Sequence, residues 1–181
     1  MKRVVVTGLG AVTPVGNDVP TMWDALLAAT SGVGRITSFD PSELPSQIAG
    51  EVKGFDPAAY LSEKEIKRTE HFVQFAVAAA KQAVADAGLG VEREDPFRCG
   101  VLIGCGIGSM QLIEQQHETM RSKGMKRLSP FMIPMLIVNM APGQVAISLG
   151  FKGPNSCTAT ACASDAHGIG EAFRVIQYGD A

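Results

Sequence analysis

The residue best placed to do chemistry is Cys162, in the run Thr158-Ala159-Thr160-Ala161-Cys162-Ala163-Ser164. Small, strand-compatible residues pass there directly into a helical pattern, and the thiol sits at the junction. A strand-to-helix turn of this kind presents its side chain at the edge of a sheet, as a nucleophile elbow does. The free N–H groups and partial positive charge of a helix start favour a thiolate. The N–H of Cys162 is also placed to donate to an oxyanion formed on an attached thioester. Small neighbours at 161, 163 and 164 leave room for a substrate. The competing reading is a buried, inert cysteine that closes a strand, and spacing alone does not separate the two.

The other reactive side chains have weaker settings. Cys157 lies five residues earlier, inside the proposed strand. A packed thiol is expected there rather than a disulfide with Cys162. Cys99 and Cys105 flank an earlier strand and read as packed thiols; no CxxC pair or zinc spacing occurs. His167 follows Cys162 by five positions, about 140° around a helix, so it points away from the thiol and reads as a packed, hydrogen-bonded histidine. His71 falls on a polar helix face and His117 in a long loop, and nothing in the sequence brings either near Cys162. Gly8-Leu9-Gly10 lacks the third glycine of a dinucleotide fingerprint. Gly104-Cys105-Gly106-Ile107-Gly108 has the wrong spacing, and neither segment carries a P-loop lysine. These glycines suit unusual backbone angles and close approach instead. Lys126-Arg127 is a short basic pair that reads as solvated surface before it reads as a dock for an anionic partner.

Strands must alternate with helices to position such a turn. Three β-rich segments stand out: Arg3 to Leu9, Cys99 to Gly104, and Ser156 to Thr160. None alternates with period two, so each suits a strand covered on both faces. A helix opening at Pro20 puts Trp23, Leu26 and Leu27 on one face and stops by Gly32. Ser62-Glu63-Lys64-Glu65 has the form of a capping box. Phe72, Phe75, Ala76, Ala79 and Ala83 make a helical stripe that ends at Gly88. Another helix is expected from about Met140 to Leu149, with Pro142 in its first turn and Gly150 as its stop. The last runs from about Cys162 to Tyr178, with Ala166, Ile169, Phe173 and Ile176 inward and Gly179 at its end. Residues 33–61 and 105–138 read as long loops of the kind that carry function. The pattern predicts an α/β fold with a mainly parallel sheet. A final helix packed on such a sheet should lead into a further strand, so more chain is expected after Ala181.

Composition excludes several classes. Of 181 residues, 46% are apolar and 19% charged, and the formal net charge is -2, which argues against a basic nucleic-acid surface or an acidic tail. Met1-Lys2-Arg3 before Val4-Val5-Val6 has the charge pattern that starts a signal peptide, but Thr7, Gly8 and Gly10 interrupt the apolar run. The apolar stretch from Phe131 to Ala141 is too short to span a bilayer and holds Pro134 and Asn139. A reducing cytoplasm, with the cysteines as thiols, is the expected compartment.

Taken in order, several segments resemble the type II β-ketoacyl-acyl-carrier-protein synthases, a family of condensing enzymes. They are Val4 to Gly10, Ile103 to Gly108, Ser129-Pro130-Phe131 through Ile137 to Met140, and Gly153-Pro154-Asn155-Ser156 continuing through Thr160 to Ser164. The resemblance covers the whole chain. It implies a thiolase-like α/β fold built of two related halves, of which residues 1–181 are the incomplete N-terminal half, with a mainly parallel mixed sheet and flanking helices. It further implies that Cys162 is the nucleophile that takes an acyl group from acyl carrier protein as a thioester, its backbone N–H serving the oxyanion. Malonyl-carrier-protein then loses carbon dioxide, and the carbanion attacks that thioester. Ile107 matches a residue that lines and gates the acyl pocket, and Phe131 lies in the matching segment near the pocket and the subunit interface. No cofactor and no metal is implied. The partners implied are acyl carrier protein and a second copy of the chain, meeting through Ser156 to Thr160, with neither nucleic acid nor membrane insertion.

Departures from the family pattern limit the carry-over. The family's two catalytic histidines, its lysine and its second oxyanion donor belong to the second half. Asp165 stands where a small residue is usual, and a carboxylate there suits a helix start but opposes ionisation of a nearby thiol. Thr69-Glu70-His71 replaces a usual methionine-aspartate-arginine. Condensation by these residues alone is therefore not expected. The alternatives are a truncated, non-catalytic paralogue acting as a dimerising or binding module, a chain-length partner, and a biosynthetic thiolase.

Overall fold

The computed structural model describes residues 2–90 and 92–181. Its core forms where apolar side chains recur at helical and strand spacing. Leu61, Val73, Val77, Val101 and Val145 meet in one buried cluster, with Phe72, Ala76, Ala80, Ile103 and Phe151 packed around it. Three elements supply most of this cluster: helix α3 (His71–Asp86), strand β3 (Val101–Gly104) and helix α6 (Met140–Leu149). Pro142 sits in the first turn of α6, and Gly150 ends it in the left-handed region at φ 71°, as the sequence predicts.

Strand β3 pairs in parallel with β4 (Asn155–Thr158), in the register Val101↔Asn155 to Gly104↔Thr158. Helix α7 (Ser164–Tyr178) returns over the same two strands. Val101 and Ile103 join the α3–α6 cluster. The alternate residue Gly104 faces α7 so closely that a Cβ on it would stand 2.2 Å from the Ser164 carbonyl carbon. Strand β3 is thus flanked by packed helices, which suits its apolar Val-Leu-Ile run, whereas β4 is polar and exposed at Asn155 and Ser156. The stripe that α7 buries is not the expected one. Ser164 and Gly168 are buried, whereas Ala166, Ile169 (72% exposed), Phe173 and Ile176 are exposed. Close approach to the sheet selects the small residues of this helix.

Before the core, α1 (Val19–Leu27) starts on Asp18, whose carboxylate accepts the Thr21 N–H at 2.7 Å. It ends at Leu27 rather than near Gly32, and Trp23, Leu26 and Leu27 face outward. The segment read as a first loop holds an antiparallel pair, β1 (Val33–Arg35) and β2 (Ile48–Gly50). Helix α2 (Glu63–Ile66) carries the predicted capping box, and the Ser62 hydroxyl and amide lower the Glu65 carboxyl below its usual value.

Two expectations are corrected. Residues 105–138 are not a structureless loop. They contain α4 (Met110–Lys123), capped by Ser109 at one end and stopped at Gly124, and the short α5 (Met132–Leu136). Helix α4 buries little beyond Leu112, so its sequence lacks a strong apolar stripe. The segment Arg3–Leu9 is extended but joins no ladder among the described residues. It lies antiparallel along α3, with Leu9 N–H donating to Asp86 (2.8 Å) and Ala11 N–H to Gln82 (3.0 Å). Gly8 and Gly10 rest directly on the α3 backbone, while Val5, Val6 and Leu9 stay exposed. An apolar cavity of about 700 Å³ separates this segment from β3, lined by Gly8, Leu102, Ile103, Val145, Phe151 and Ile176 among others.

Candidate active site at the β4–α7 turn

Strand β4 ends at Thr158, and the chain turns through Ala159 and Thr160 into a single 3-10 turn, Ala161–Ala163, before α7 begins. Cys162 occupies the middle of that turn with an exposed, free thiol. The sharp bend belongs to its neighbour: Ala161 has φ 50°, the left-handed region that residues with a Cβ seldom enter.

Hydrogen bonds hold the bend. Ser164 is buried at 5% exposure; its hydroxyl accepts the Thr160 N–H at 2.9 Å and donates to the Ala161 carbonyl at 2.6 Å. Thr158 Oγ1 donates to the Ser164 carbonyl at 2.8 Å. The polar groups freed by the turn are thus satisfied internally. No carbonyl accepts from the Cys162 N–H among the described residues, so it remains available in the first turn, as helix-start N–H groups do.

Glycines let the surrounding backbone close in. Gly104 abuts Ser164 and Asp165, and a Cβ on Gly106 would stand 3.6 Å from Ala161 Cα. The loop after β3 therefore lies against the Cys162 turn. Ile107 projects from that loop at 69% exposure. Phe131 stands at the start of α5, where the Arg68 guanidinium covers its ring at 4.5 Å.

The remaining thiols differ from Cys162. Burial, with Cys105 and Asp165 adding to it, pushes the Cys157 thiol above its ordinary value. Burial and the nearby Glu94 and Asp95 do the same to Cys99. All four cysteines are free. His71 opens α3 and stacks on Phe75, and His117 lies on α4 rather than in a loop. His167 is exposed rather than packed, with Nδ1 3.5 Å from Thr160 Oγ1 and Nε2 3.9 Å from Glu171. Among the described residues no group of three or more His, Cys, Asp or Glu could hold a metal ion, and no helix is long and apolar enough to cross a membrane.

Sequence reasoning found the thiol but missed what braces it. Ser164 reads in the sequence as a small neighbour, although a serine two residues after Cys162 and Thr158 four residues before it are the side chains that brace the turn. The large cavity by Gly8 shares no lining residue with the Cys162 turn.

The family profile described as "Beta-ketoacyl synthase, N-terminal domain" matches residues 1–181. A Synechocystis protein named 3-oxoacyl-acyl-carrier-protein synthase 2 is 51% identical over 178 residues, covering 98% of this chain and 43% of the relative. A solved β-ketoacyl synthase from Burkholderia phymatum superposes with a TM-score of 0.83 at 28% identity, over 99% of this chain and 45% of the other. A type II polyketide ketosynthase, solved in complex with its acyl-carrier protein and bound to the hexaketide, gives 0.83 at 25% identity, over 100% and 48%. This chain therefore spans less than half the length of these relatives, and its fold is the thiolase-like architecture of ketosynthases. The chain belongs to the β-ketoacyl synthase N-terminal domain family.

Proposed function

We propose that residues 1–181 are the nucleophile-bearing first part of a 3-oxoacyl-acyl-carrier-protein synthase of fatty-acid synthesis. The observation that carries this reading is the exposed Cys162 thiol on a turn braced by Ser164 and Thr160. In the first step the Cys162 thiolate attacks the carbonyl of an acyl thioester on acyl carrier protein. The tetrahedral oxyanion accepts the free Cys162 N–H, and its collapse breaks the C–S bond to the carrier and releases the carrier thiol. In the second step malonyl-carrier-protein loses carbon dioxide, and its carbanion displaces Cys162 from the acyl carbon. Ile107, on the loop against the turn, gates the acyl chain, and Phe131 lines its path. The protein works in the cytoplasm as a homodimer. Support comes from the names and lengths of the relatives and from the neighbour solved with its carrier protein.

Incubation with acyl-carrier-protein thioester, followed by intact and peptide mass spectrometry, tests the first step. The acyl mass is expected on Cys162 and absent from Cys162→Ala; acylation elsewhere, or nowhere, overturns the reading. Supplying malonyl-carrier-protein next should give no β-ketoacyl product from the 181 residues alone, because the resemblance assigns the family's two catalytic histidines and its lysine to the second half of the fold. The alternative, a non-catalytic binding module, is favoured by the exposed apolar side chains of α7 and would leave Cys162 unlabelled.

A further inference from the structure

Glu70 is the N-cap residue of α3, yet its side chain makes no hydrogen bond to that helix. Its carboxylate instead accepts the Ser109 hydroxyl at 2.8 Å, across 39 residues of sequence. Ser109 is buried, and its Oγ also accepts the Leu112 N–H at 3.2 Å, capping α4. One hydroxyl thus joins the starts of two helices. It does so at the end of the loop that carries Ile107.

That loop is held at three points. At one end Gly106 lies against Ala161, the residue before Cys162. In the middle Gly108, at φ 79°, approaches the Leu136 carbonyl so closely that a Cβ would stand 2.1 Å from it. At the other end stands the Ser109–Glu70 bond. Ile107, between the two glycines, stands 69% exposed. Glycines on both sides give it backbone freedom, so its position depends on how firmly the ends are fixed. The Gly108 point rests on backbone packing that leaves no room for a Cβ, and the Gly106 point is an ordinary contact with Ala161. The third rests on a single charge-assisted hydrogen bond beside a cleft of about 210 Å³ lined by Glu70, His71, Gly108 and Ser109, into which the loop end can relax.

We propose that Glu70 is a positioning residue which, through Ser109, sets the Ile107 loop over Cys162 and so tunes which acyl chain lengths the thiol accepts. The proposal rests on the acyl-transfer reading above for its consequence, but not for the mechanical link itself. Glu70 has no capping bond to lose from α3, so replacing its side chain removes the latch while leaving that helix its own bonds.

The test compares wild type, Glu70→Ala and Glu70→Gln in the protein at its full encoded length. Glutamine retains an oxygen that accepts the Ser109 hydroxyl and serves as the conservative rescue. Amide hydrogen exchange across residues 105–109 should quicken by about tenfold in Glu70→Ala, the effect of losing one hydrogen bond to a charged group, and stay near wild type in Glu70→Gln. In parallel, rates of Cys162 acylation from short-chain and long-chain acyl-carrier-protein thioesters should change in ratio by about fivefold in Glu70→Ala, with the change abolished when Ile107→Ala is added. Unchanged exchange overturns the latch. Exchange that quickens while the chain-length ratio stays fixed, or a ratio that shifts equally with and without Ile107, overturns the tuning role. Failure of every variant to acylate Cys162 counts against the acyl-transfer reading, and the exchange comparison still decides the latch.

Discussion

The Ser164 hydroxyl accepts the Thr160 N–H at 2.9 Å, so a buried side chain on the first turn of α7 ties down the backbone two residues before Cys162. The same hydroxyl donates to the Ala161 carbonyl. The Thr160 N–H has no other acceptor among the described residues, whereas the Ala161 carbonyl also accepts the Ser164 N–H.

Removing that hydroxyl should therefore act on stability and reactivity together. Ser164→Ala leaves the Thr160 N–H without its side-chain acceptor, while the Ala161 carbonyl keeps the Ser164 N–H, and is expected to cost about 1 kcal/mol. Chemical denaturation reads the loss of stability. A slower alkylation or acylation of Cys162, measured under conditions where both variants remain folded, reads the loosened turn.

Two glycines should respond in opposite ways to the same substitution. Gly104→Ala drives a methyl into the Ser164 backbone and is expected to cost about 2–3 kcal/mol or to prevent folding. Gly170→Ala, within α7 and with nothing inside 4 Å of its added Cβ, is expected to gain about 0.5–1 kcal/mol from helix propensity. A pair of thermal unfolding curves checks both signs.

Acid sensitivity has a local contribution from Glu51. Its carboxylate accepts the Ser38 N–H at 3.0 Å, the Thr37 hydroxyl at 2.7 Å and the Thr37 N–H at 2.9 Å. Hydrogen bonds from Ser38 and Thr37 hold its pKa at about 2, against an ordinary 4.5. Because the folded value is depressed, the stabilisation is complete above pH 4.5 and is lost as the pH falls through about 2. Urea midpoints measured across that range should fall less steeply for Glu51→Gln than for wild type. Parallel slopes would remove Glu51 from the account.

The four thiols should react in an order set by access and local field. Cys162, exposed on its turn, is expected to take iodoacetamide first, about tenfold or more ahead of Cys157 and Cys99, whose thiols burial pushes up. Peptide mapping over a time course at neutral pH gives the order directly.

Much of the frame was legible in the residues, but not evenly. Pro142 and Gly150 marked α6, Ser62 and Glu65 marked α2, and the small-residue run into Cys162 marked the turn, because each is a local signal with a local cause. Helix α4 was not legible: it buries chiefly Leu112, and a helix that packs by one residue leaves no stripe. The inward face of α7 was misassigned for the opposite reason. Its apolar residues look like a core stripe, yet contact with Gly104 and Thr158 demands small groups, and Gly168 supplies them. The segment Arg3–Leu9 has the composition of a central strand, but β-pairing is a property of two segments, and no described segment pairs with it. Of the residues expected at the site, Cys162 lies exposed on the turn, Ile107 on a loop against it, and Phe131 under the Arg68 guanidinium. Glu70 and Ser109 could be linked only in three dimensions.

The left-handed backbone angle at the turn falls on Ala161 and not on Cys162. Conformational strain and chemical reactivity are thus assigned to different residues, and natural selection can act on them separately. A lineage that discards the sulfur keeps a turn whose shape never depended on it, so the architecture outlives the thiol. The converse route is closed, since a bulky β-branched residue at 161 would spoil the presentation of any side chain that follows it.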